Sequence, residues 1–201
     1  MDNEKLYQER LDRITRAINL EPVDRIPIIY MATAFSPRYM GMTQAEFVTN
    51  PDAPVEVTLA AMDRLGDLDG INMMPSPFQT VKLSLQWLSK IAMPGKELPE
   101  DELWQVQEAE LMSLDDYDLI LDKGWNTFFE GYRPKILDMK LYEAHLDWTG
   151  KHFSDVPKKF RKAGYDIMAC GSTTIPFESL CGARSMPKFF LDLYRIPDKV
   201  K

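Results

Sequence analysis

Polar side chains that could bind or activate a small molecule follow three short apolar segments of this 201-residue chain. The segments are residues 25–31, 69–74 and 165–169, and each has the length of a buried β-strand. Hydroxyl, amide and thiol groups after these segments can form hydrogen bonds, and a guanidinium can hold an anion. The candidates are Thr33, Ser36, Arg38 and Tyr39 after the first segment, Asn72, Ser76 and Gln79 in or after the second, and Cys170, Ser172, Thr173, Thr174 and Glu178 after the third.

Several of these side chains also have a structural explanation that needs no ligand. Arg38 suits an exposed loop as well as it suits an anion. Thr173 and Thr174 precede a predicted helix and fit its cap, and the helix dipole favours a carboxylate at Glu178. Cys170 has no base beside it in the sequence, so a small buried thiol is the alternative to a nucleophile. We assign no catalytic residue and predict that substrate is bound by Ser36, Arg38, Asn72, Ser76, Cys170 and Thr173.

Predicted helices alternate with the apolar segments. An apolar stripe at helical spacing indicates a helix within residues 1–22, ahead of the first strand. Thr43 and Glu46 fit a capping box that begins another helix. Glycines that can end a helix stand at Gly66, Gly124 and Gly164. Strands that alternate with helices are typical of a parallel sheet with right-handed crossovers, so the predicted fold class is α/β.

The middle of the chain, residues 80–150, has a weaker pattern. Residues 91–95 (IAMPG) resemble a strand that enters a turn, and residues 99–112 form an acidic stretch. Ser113 and Asp116 resemble a helix cap. An aromatic stripe at helical spacing follows, and packing on a core is favoured over a ligand cage. The stripe comprises Trp125, Phe128, Phe129 and Tyr132.

Composition excludes several function classes. With 24 Lys+Arg against 31 Asp+Glu, the formal charge is -7, which disfavours nucleic acid and anionic membranes as partners. No apolar run reaches the length of a membrane span, and the acidic N-terminus lacks the features of a signal peptide. Two cysteines are too few for a disulfide framework. These features predict a reduced, cytoplasmic protein.

Motifs along most of the chain resemble the uroporphyrinogen decarboxylase superfamily, in the branch that includes corrinoid-linked methyltransferases. The motifs are residues 21–28 (EPVDRIPI), 50–52 (NPD), 69–71 (DGI), 94–99 (PGKELP), 115–118 (DDYD) and 189–198 (FFLDLYRIPD). The resemblance implies a (β/α)8 TIM barrel whose site lies at the carboxyl ends of the strands. It also implies a small-molecule substrate.

Two chemistries compete within this superfamily. The decarboxylases carry Met-Arg-Gln-Ala-Gly-Arg after the first strand and an aspartate after the second, and their arginines grip substrate carboxylates. Here residues 31–36 (MATAFS) lack both arginines, Arg38 lies two positions beyond the nearer one, and residues 73–77 (MMPSP) lack the acid. The departures favour a corrinoid-dependent methyltransferase that acts on a small methylated compound such as a methoxy-aromatic or a methylamine. A uroporphyrinogen decarboxylase with an altered site and a non-catalytic truncated binding module are the alternatives.

The methyltransferase branch implies zinc, held by His-x-Cys and a distant Cys, and a corrinoid carried by a partner protein. This chain has no His-x-Cys, and its two histidines, His145 and His152, lie seven residues apart in a predicted helical region. We therefore expect no metal site and no cofactor in this chain.

The pattern near Lys201 repeats one that opens a helix at Pro51, and only three or four strands can be counted. Such a sheet would leave edges and an apolar face exposed. We therefore expect residues 1–201 to form a single incomplete domain, the N-terminal half of the barrel. We expect the chain alone to be inactive.

Overall fold

The structure is a computed structural model that describes residues 2–31 and 34–200. The described helices, in chain order, are α1 (Asn3–Ile18), α2 (Phe35–Tyr39), α3 (Gln44–Thr49), α4 (Ala53–Leu65), α5 (Gln79–Trp87), α6 (Asp115–Lys123), α7 (Trp125–Ile136), α8 (Met139–His152), α9 (Asp155–Lys162), α10 (Pro176–Arg184), α11 (Met186–Arg195) and α12 (Pro197–Val200). The described strands are β1 (Ile29–Tyr30), β2 (Gly70–Met73), β3 (Lys90–Ala92), β4 (Gln105–Gln107) and β5 (Asp166–Ala169). Among the described helices, none is both long and apolar enough to cross a membrane.

The chain forms two compact units. The first comprises the residues up to Pro77 together with Leu146–Ser172, and the second comprises Phe78–His145 and the residues from Thr173 onward. The first unit contains β1, β2 and β5, and the second contains β3 and β4.

A three-stranded parallel sheet lies at the centre of the first unit. Its strand order is β1-β2-β5, and both neighbouring pairs are parallel. The register pairs Tyr30 with Ile71, Ile71 with Ile167, and Met73 with Ala169. The predicted α/β class with a parallel sheet is therefore confirmed.

Local signals begin and end the helices as predicted. The Thr43 hydroxyl accepts a hydrogen bond from the Glu46 amide at 3.1 Å, and the Thr43 amide donates to Glu46 Oε2 at 3.0 Å. Both halves of the capping box are thus present at the start of α3. Gly66 ends α4 with a φ of 68°, a left-handed value that a side chain would disfavour.

Helices α4 and α9 cover one face of the parallel sheet. The core there is built by side chains of β1, β2 and β5 that meet apolar side chains of the two helices, which removes their surface from water. Its members include Tyr30, Ile71, Ile167, Val55, Met62, Val156 and Phe160.

The first strand is shorter than the sequence predicts. We expected residues 25–31 to be buried on both faces, but only Ile29–Tyr30 form strand, and Ile26 is 82% exposed. The segment before β1 is held by Asp69 instead of a strand ladder. Its carboxylate accepts hydrogen bonds from the Ile28 amide at 2.8 Å and from the Arg25 guanidinium at 2.6 and 2.9 Å. Pro27 has no N–H to offer a neighbouring strand.

In the second unit, β3 and β4 form an antiparallel pair. Strand β4 lies in the acidic stretch for which the sequence predicted no strand. Phe128 and Tyr132 of the aromatic stripe pack into the core as predicted, because both are almost fully buried, whereas Trp125 is 44% exposed. The Tyr132 hydroxyl donates to the Leu88 carbonyl at 2.7 Å, which satisfies the one polar atom of that ring.

Helices α5 and α10 touch at Gly182. A Cβ atom at this position would lie 1.7 Å from the Trp87 carbonyl oxygen, so the two backbones can approach only because Gly182 has no side chain. We expect Gly182→Ala to lower the free energy of unfolding of the second unit by about 3 kcal/mol, because the clash is with backbone that cannot rotate away.

The matched control for that variant is Gly131→Ala on α7, where no atom lies within 4 Å of the added Cβ. Alanine should stabilise this exposed helical position by about 1 kcal/mol. Urea unfolding followed by circular dichroism compares the two variants. Equal urea midpoints would contradict the close approach of the Trp87 carbonyl to Gly182.

Candidate functional site

The face of the parallel sheet opposite α4 and α9 is partly open. Side chains alternate along a strand, so Asn72 and Met168 project away from the face that Ile71 and Ile167 occupy. The register places them on neighbouring strands at the same level. Helix α1 covers the amino end of this face, where the Tyr7 hydroxyl donates to Asp166 Oδ1 at 3.2 Å. Toward the carboxyl end the face reaches solvent, and Met168 is 40% exposed.

Four sulfur-bearing side chains lie at the carboxyl ends of the three strands. Along β2, Met73 alternates with Asn72 and so shares the face of Ile71. Cys170 lies two residues after Met168 and is exposed. Met31 directly follows β1 and is 77% exposed, while Met73 ends β2 and is 39% exposed. We call Met31, Asn72, Met73, Met168 and Cys170 the carboxyl-edge set. Thioethers are polarisable and adaptable, so this surface suits apolar groups, and the Asn72 amide and the thiol add hydrogen-bonding capacity.

The two predicted binding residues after β1, Ser36 and Arg38, differ in exposure. Ser36 is fully buried, and its Oγ lies 2.8 Å from the Tyr30 hydroxyl oxygen, with which it shares a hydrogen bond. Burial raises the pKa of Tyr30, although the contact with Ser36 acts in the opposite direction. Arg38 is exposed on α2, and Tyr39 lies under the Arg64 guanidinium at 4.7 Å. Thr33 lies outside the described residues.

The loop after β2 is packed. Ser76 is buried together with its neighbouring prolines, whereas Asn72 is partly exposed. Gln79 begins α5 and belongs to the second unit. Of the residues predicted on this strand and its loop, Asn72 is the one that lies on the open face.

The residues after β5 correct two expectations. Cys170 is exposed, so the alternative of a buried thiol is wrong. Thr173 and Thr174 belong to the second unit, and neither caps α10, because its N-cap residue is Ile175. The Thr174 hydroxyl donates instead to Glu178 Oε2 at 2.7 Å. Thr173 is exposed, and its hydroxyl donates to the Thr174 carbonyl at 3.4 Å, so its predicted contact with substrate stays a prediction.

Electrostatic groups are unevenly distributed over the first unit. Arg13 and Arg25 bind Asp69 at the amino end of the sheet, and Arg10 donates to the Gly164 carbonyl. The described residues that follow the strands, 31, 34–39, 73–77 and 170–172, contain Arg38 as their single charged residue. These residues therefore provide no pair of guanidinium groups that could bind a substrate with several carboxylates.

The described residues do not fit the zinc that the resemblance implies. No three His, Cys, Asp or Glu side chains among residues 2–31 and 34–200 converge as a metal site would require. His145 lies in the second unit with its ring edge toward Phe78, and burial lowers its pKa. His152 lies in the first unit beside Trp148. We derive no step through zinc in this chain.

The fold and this edge define an α/β protein whose candidate site lies at the carboxyl ends of parallel strands, where α/β proteins bind ligands. Residues 9–81 match the family model described as Uroporphyrinogen decarboxylase (URO-D). This part of the chain, 73 of its 201 residues, is therefore similar to that family. No curated protein and no solved structure matches the chain significantly.

Sequence reasoning missed Met31 and Met168 as members of the edge. The alternation of side chains along β5 places Met168 and Cys170 on one face, and this pattern could have identified Met168 from the sequence. Met31 could not be assigned, because the length of β1 depends on contacts with Asp69.

The two cysteines should differ sharply in reactivity. Cys170 is exposed, whereas Cys181 is buried and burial raises the pKa of its thiol. Because the thiolate is the reactive form, we expect one rapid reaction with a disulfide reagent at pH 8 and a second only after unfolding. Cys170→Ser should remove the rapid phase and Cys181→Ser should retain it. Two rapid phases would contradict the burial of Cys181.

Proposed function

We propose that this chain forms the N-terminal half of a uroporphyrinogen decarboxylase-like barrel from a corrinoid-dependent methyltransferase or demethylase that acts on a small methylated compound. The observation that carries the proposal is the chemical character of the carboxyl end of the sheet. It presents thioethers, one amide and one thiol, where the decarboxylases of this superfamily are expected to present arginines and an aspartate.

A polycarboxylate substrate is poorly served by this surface. Uroporphyrinogen carries several carboxylates, and each would lose hydration on binding without a guanidinium to replace it. Arg38 alone could pair with only one of them. Among the methylated compounds, a methoxy-aromatic loses little hydration against Met31 and Met168, so its contact with them is favourable.

In this proposal, Asn72 orients the substrate. Its amide can donate a hydrogen bond to an ether oxygen or accept one from an N–H group. The thioethers of Met31 and Met168 pack beside it. A corrinoid on a partner protein would supply the chemistry that accepts the methyl group.

The test uses the full translated product of the gene that encodes this chain. It is incubated with reduced cobalamin and, separately, with methoxy-aromatics, methylamines and uroporphyrinogen. We expect one methylated class to be consumed with an equal amount of methylcobalamin formed, measured by absorbance and chromatography. Efficient decarboxylation of uroporphyrinogen would overturn the proposal and favour the alternative with a rearranged site.

Two variants connect the activity to the edge. Asn72→Leu should lower kcat/KM at least tenfold, because the hydrogen bond to substrate is lost with little change in side-chain size. Gln79→Leu lies outside the carboxyl-edge set and serves as the matched amide control. If neither full product nor this chain consumes any methylated compound or porphyrinogen, the binding-module alternative is favoured and the methyl-transfer proposal fails.

A further inference from the structure

A second concave site in the first unit shares no lining residue with the carboxyl-edge set. It is formed by the start of α4, the end of α8 and the start of α9, and its cavity volume is about 80 Å³. A single water needs a cavity of only about 10–15 Å³ by the same kind of measure. The cavity can therefore take a group of several non-hydrogen atoms.

The inner wall of this cavity is apolar and aromatic. Val55 and Val156 line it and are almost fully buried. Trp148 packs against the core of the first unit, and the His152 ring lies 5.5 Å from the Trp148 ring, centroid to centroid. The indole is therefore anchored by the core while part of its surface faces the cavity.

The rim of the cavity carries two carboxylates and one ammonium, from Asp52, Asp155 and Lys159. Asp52 precedes α4, yet its side chain accepts no hydrogen bond from the first turn of that helix. Asp155 Oδ1 accepts a hydrogen bond from Lys158 at 2.7 Å, but both groups are exposed, so this pair is easily exchanged. The charged residues that line the cavity sum to -1, and Lys158 offsets this charge while it is bound to Asp155. A cationic ligand would therefore compete with Lys158 for the Asp155 carboxylate.

We propose that this cavity, which we call the Trp148 cavity, binds small organic ammonium ions. The face of an indole attracts a cation more strongly than other aromatic rings do. Methyl or methylene groups of the ligand would contact Val55 and Val156, and the charge would lie between Asp52 and Asp155. The proposal is independent of methyl transfer at the carboxyl edge.

The opposite ligand class, an anion, has one feature in its favour. The starts of α4 and α9 both border the cavity, and helix starts attract negative charge. However, the carboxylates of Asp52 and Asp155 lie at these same helix starts and already compensate the partial positive charge of the helix dipoles. Inorganic phosphate is therefore the second probe, and the sign of the selectivity tests the proposal.

The experiment is ¹⁹F NMR of the full chain labelled with fluorotryptophan. The chain has four tryptophans, and the Trp148→Phe variant assigns the relevant signal. Tetramethylammonium chloride is titrated against sodium chloride at equal ionic strength. We expect a saturable shift of the Trp148 signal, with a dissociation constant on the order of a few millimolar, which corresponds to a free energy near that of weak fragments. The exposed Trp125 should not shift.

Charge variants test the source of the affinity. Asp52→Asn and Asp155→Asn should each weaken tetramethylammonium binding at least threefold, and Lys159→Gln should tighten it about threefold, because a competing positive charge is removed. Asp147→Asn is the matched control, since this exposed carboxylate on α8 binds Lys151 and does not line the cavity. An unsaturated or absent Trp148 shift, a saturable shift with phosphate, or an equal effect of Asp147→Asn would each overturn the proposal.

Discussion

Asp69→Asn is expected to lower the free energy of unfolding of the first unit by about 3 kcal/mol, as typical for loss of one partner from a buried ion pair. Asp69 has no exposed surface and accepts hydrogen bonds from Arg13, Arg25 and the Ile28 amide. Asparagine has the same shape but no charge, and its NH₂ group would face donors. The guanidinium groups would then lose their shared counter-charge.

The effect should depend on pH in a defined direction. Burial alone would raise the pKa of Asp69, but hydrogen bonds from Arg25, the Ile28 amide and Arg13 outweigh burial and hold the pKa below its usual value. The unfolded chain therefore binds the proton first as the pH falls. The stabilisation by Asp69 is complete above a pH of about 4 and is lost as the pH falls through the folded pKa. The difference between wild type and Asp69→Asn should shrink accordingly.

Hydrogen exchange measured by mass spectrometry can assign the loss to the first unit. Peptides that contain β1 and β2 should exchange faster in Asp69→Asn, because the segment before β1 depends on this carboxylate. Asp24→Asn is the control: Asp24 also binds Arg13, but it is exposed, and its loss should leave the unfolding midpoint nearly unchanged. Equal destabilisation by both variants would contradict a special role for burial.

Asp192→Asn should have a comparable effect on the second unit, about 4 kcal/mol, because Arg184 would remain buried with an incomplete set of partners. Arg184 Nε lies 2.6 Å from Asp192 Oδ2, and both side chains are almost fully buried. The Tyr117 hydroxyl donates to the same carboxylate oxygen at 3.2 Å. Glu110 also binds Arg184 but is nearly half exposed, so it compensates only in part.

Urea unfolding compares this variant with Lys199→Gln, which removes an exposed ion pair to Asp118 in the same unit and should cost at most about 1 kcal/mol. A second comparison separates the lost partner from the lost charge. The double variant Arg184→Met, Asp192→Leu removes both charges and should recover much of the stability that Asp192→Asn loses. If the double variant is the less stable of the two, specific polar contacts dominate and the charge argument is wrong.

The sequence by itself determined the features that depend on neighbours along the chain. The capping box at Thr43 and Glu46, the glycine that ends α4 and the stripe that forms α1 act within one or two turns, so residue types and spacing are sufficient. The alternation of helices and strands likewise indicated a parallel sheet. The family match over residues 9–81 agrees with the motifs at the start of the chain.

The tertiary structure decided the features that depend on partners distant in sequence. The length of β1 depends on Asp69, which lies 41 residues beyond the Ile28 amide that it binds. The exposure of Cys170 depends on which face of the sheet α4 and α9 cover. The composition of the carboxyl edge follows from both, because a strand's side chains are assigned to a face only when its register and its covering helices are known.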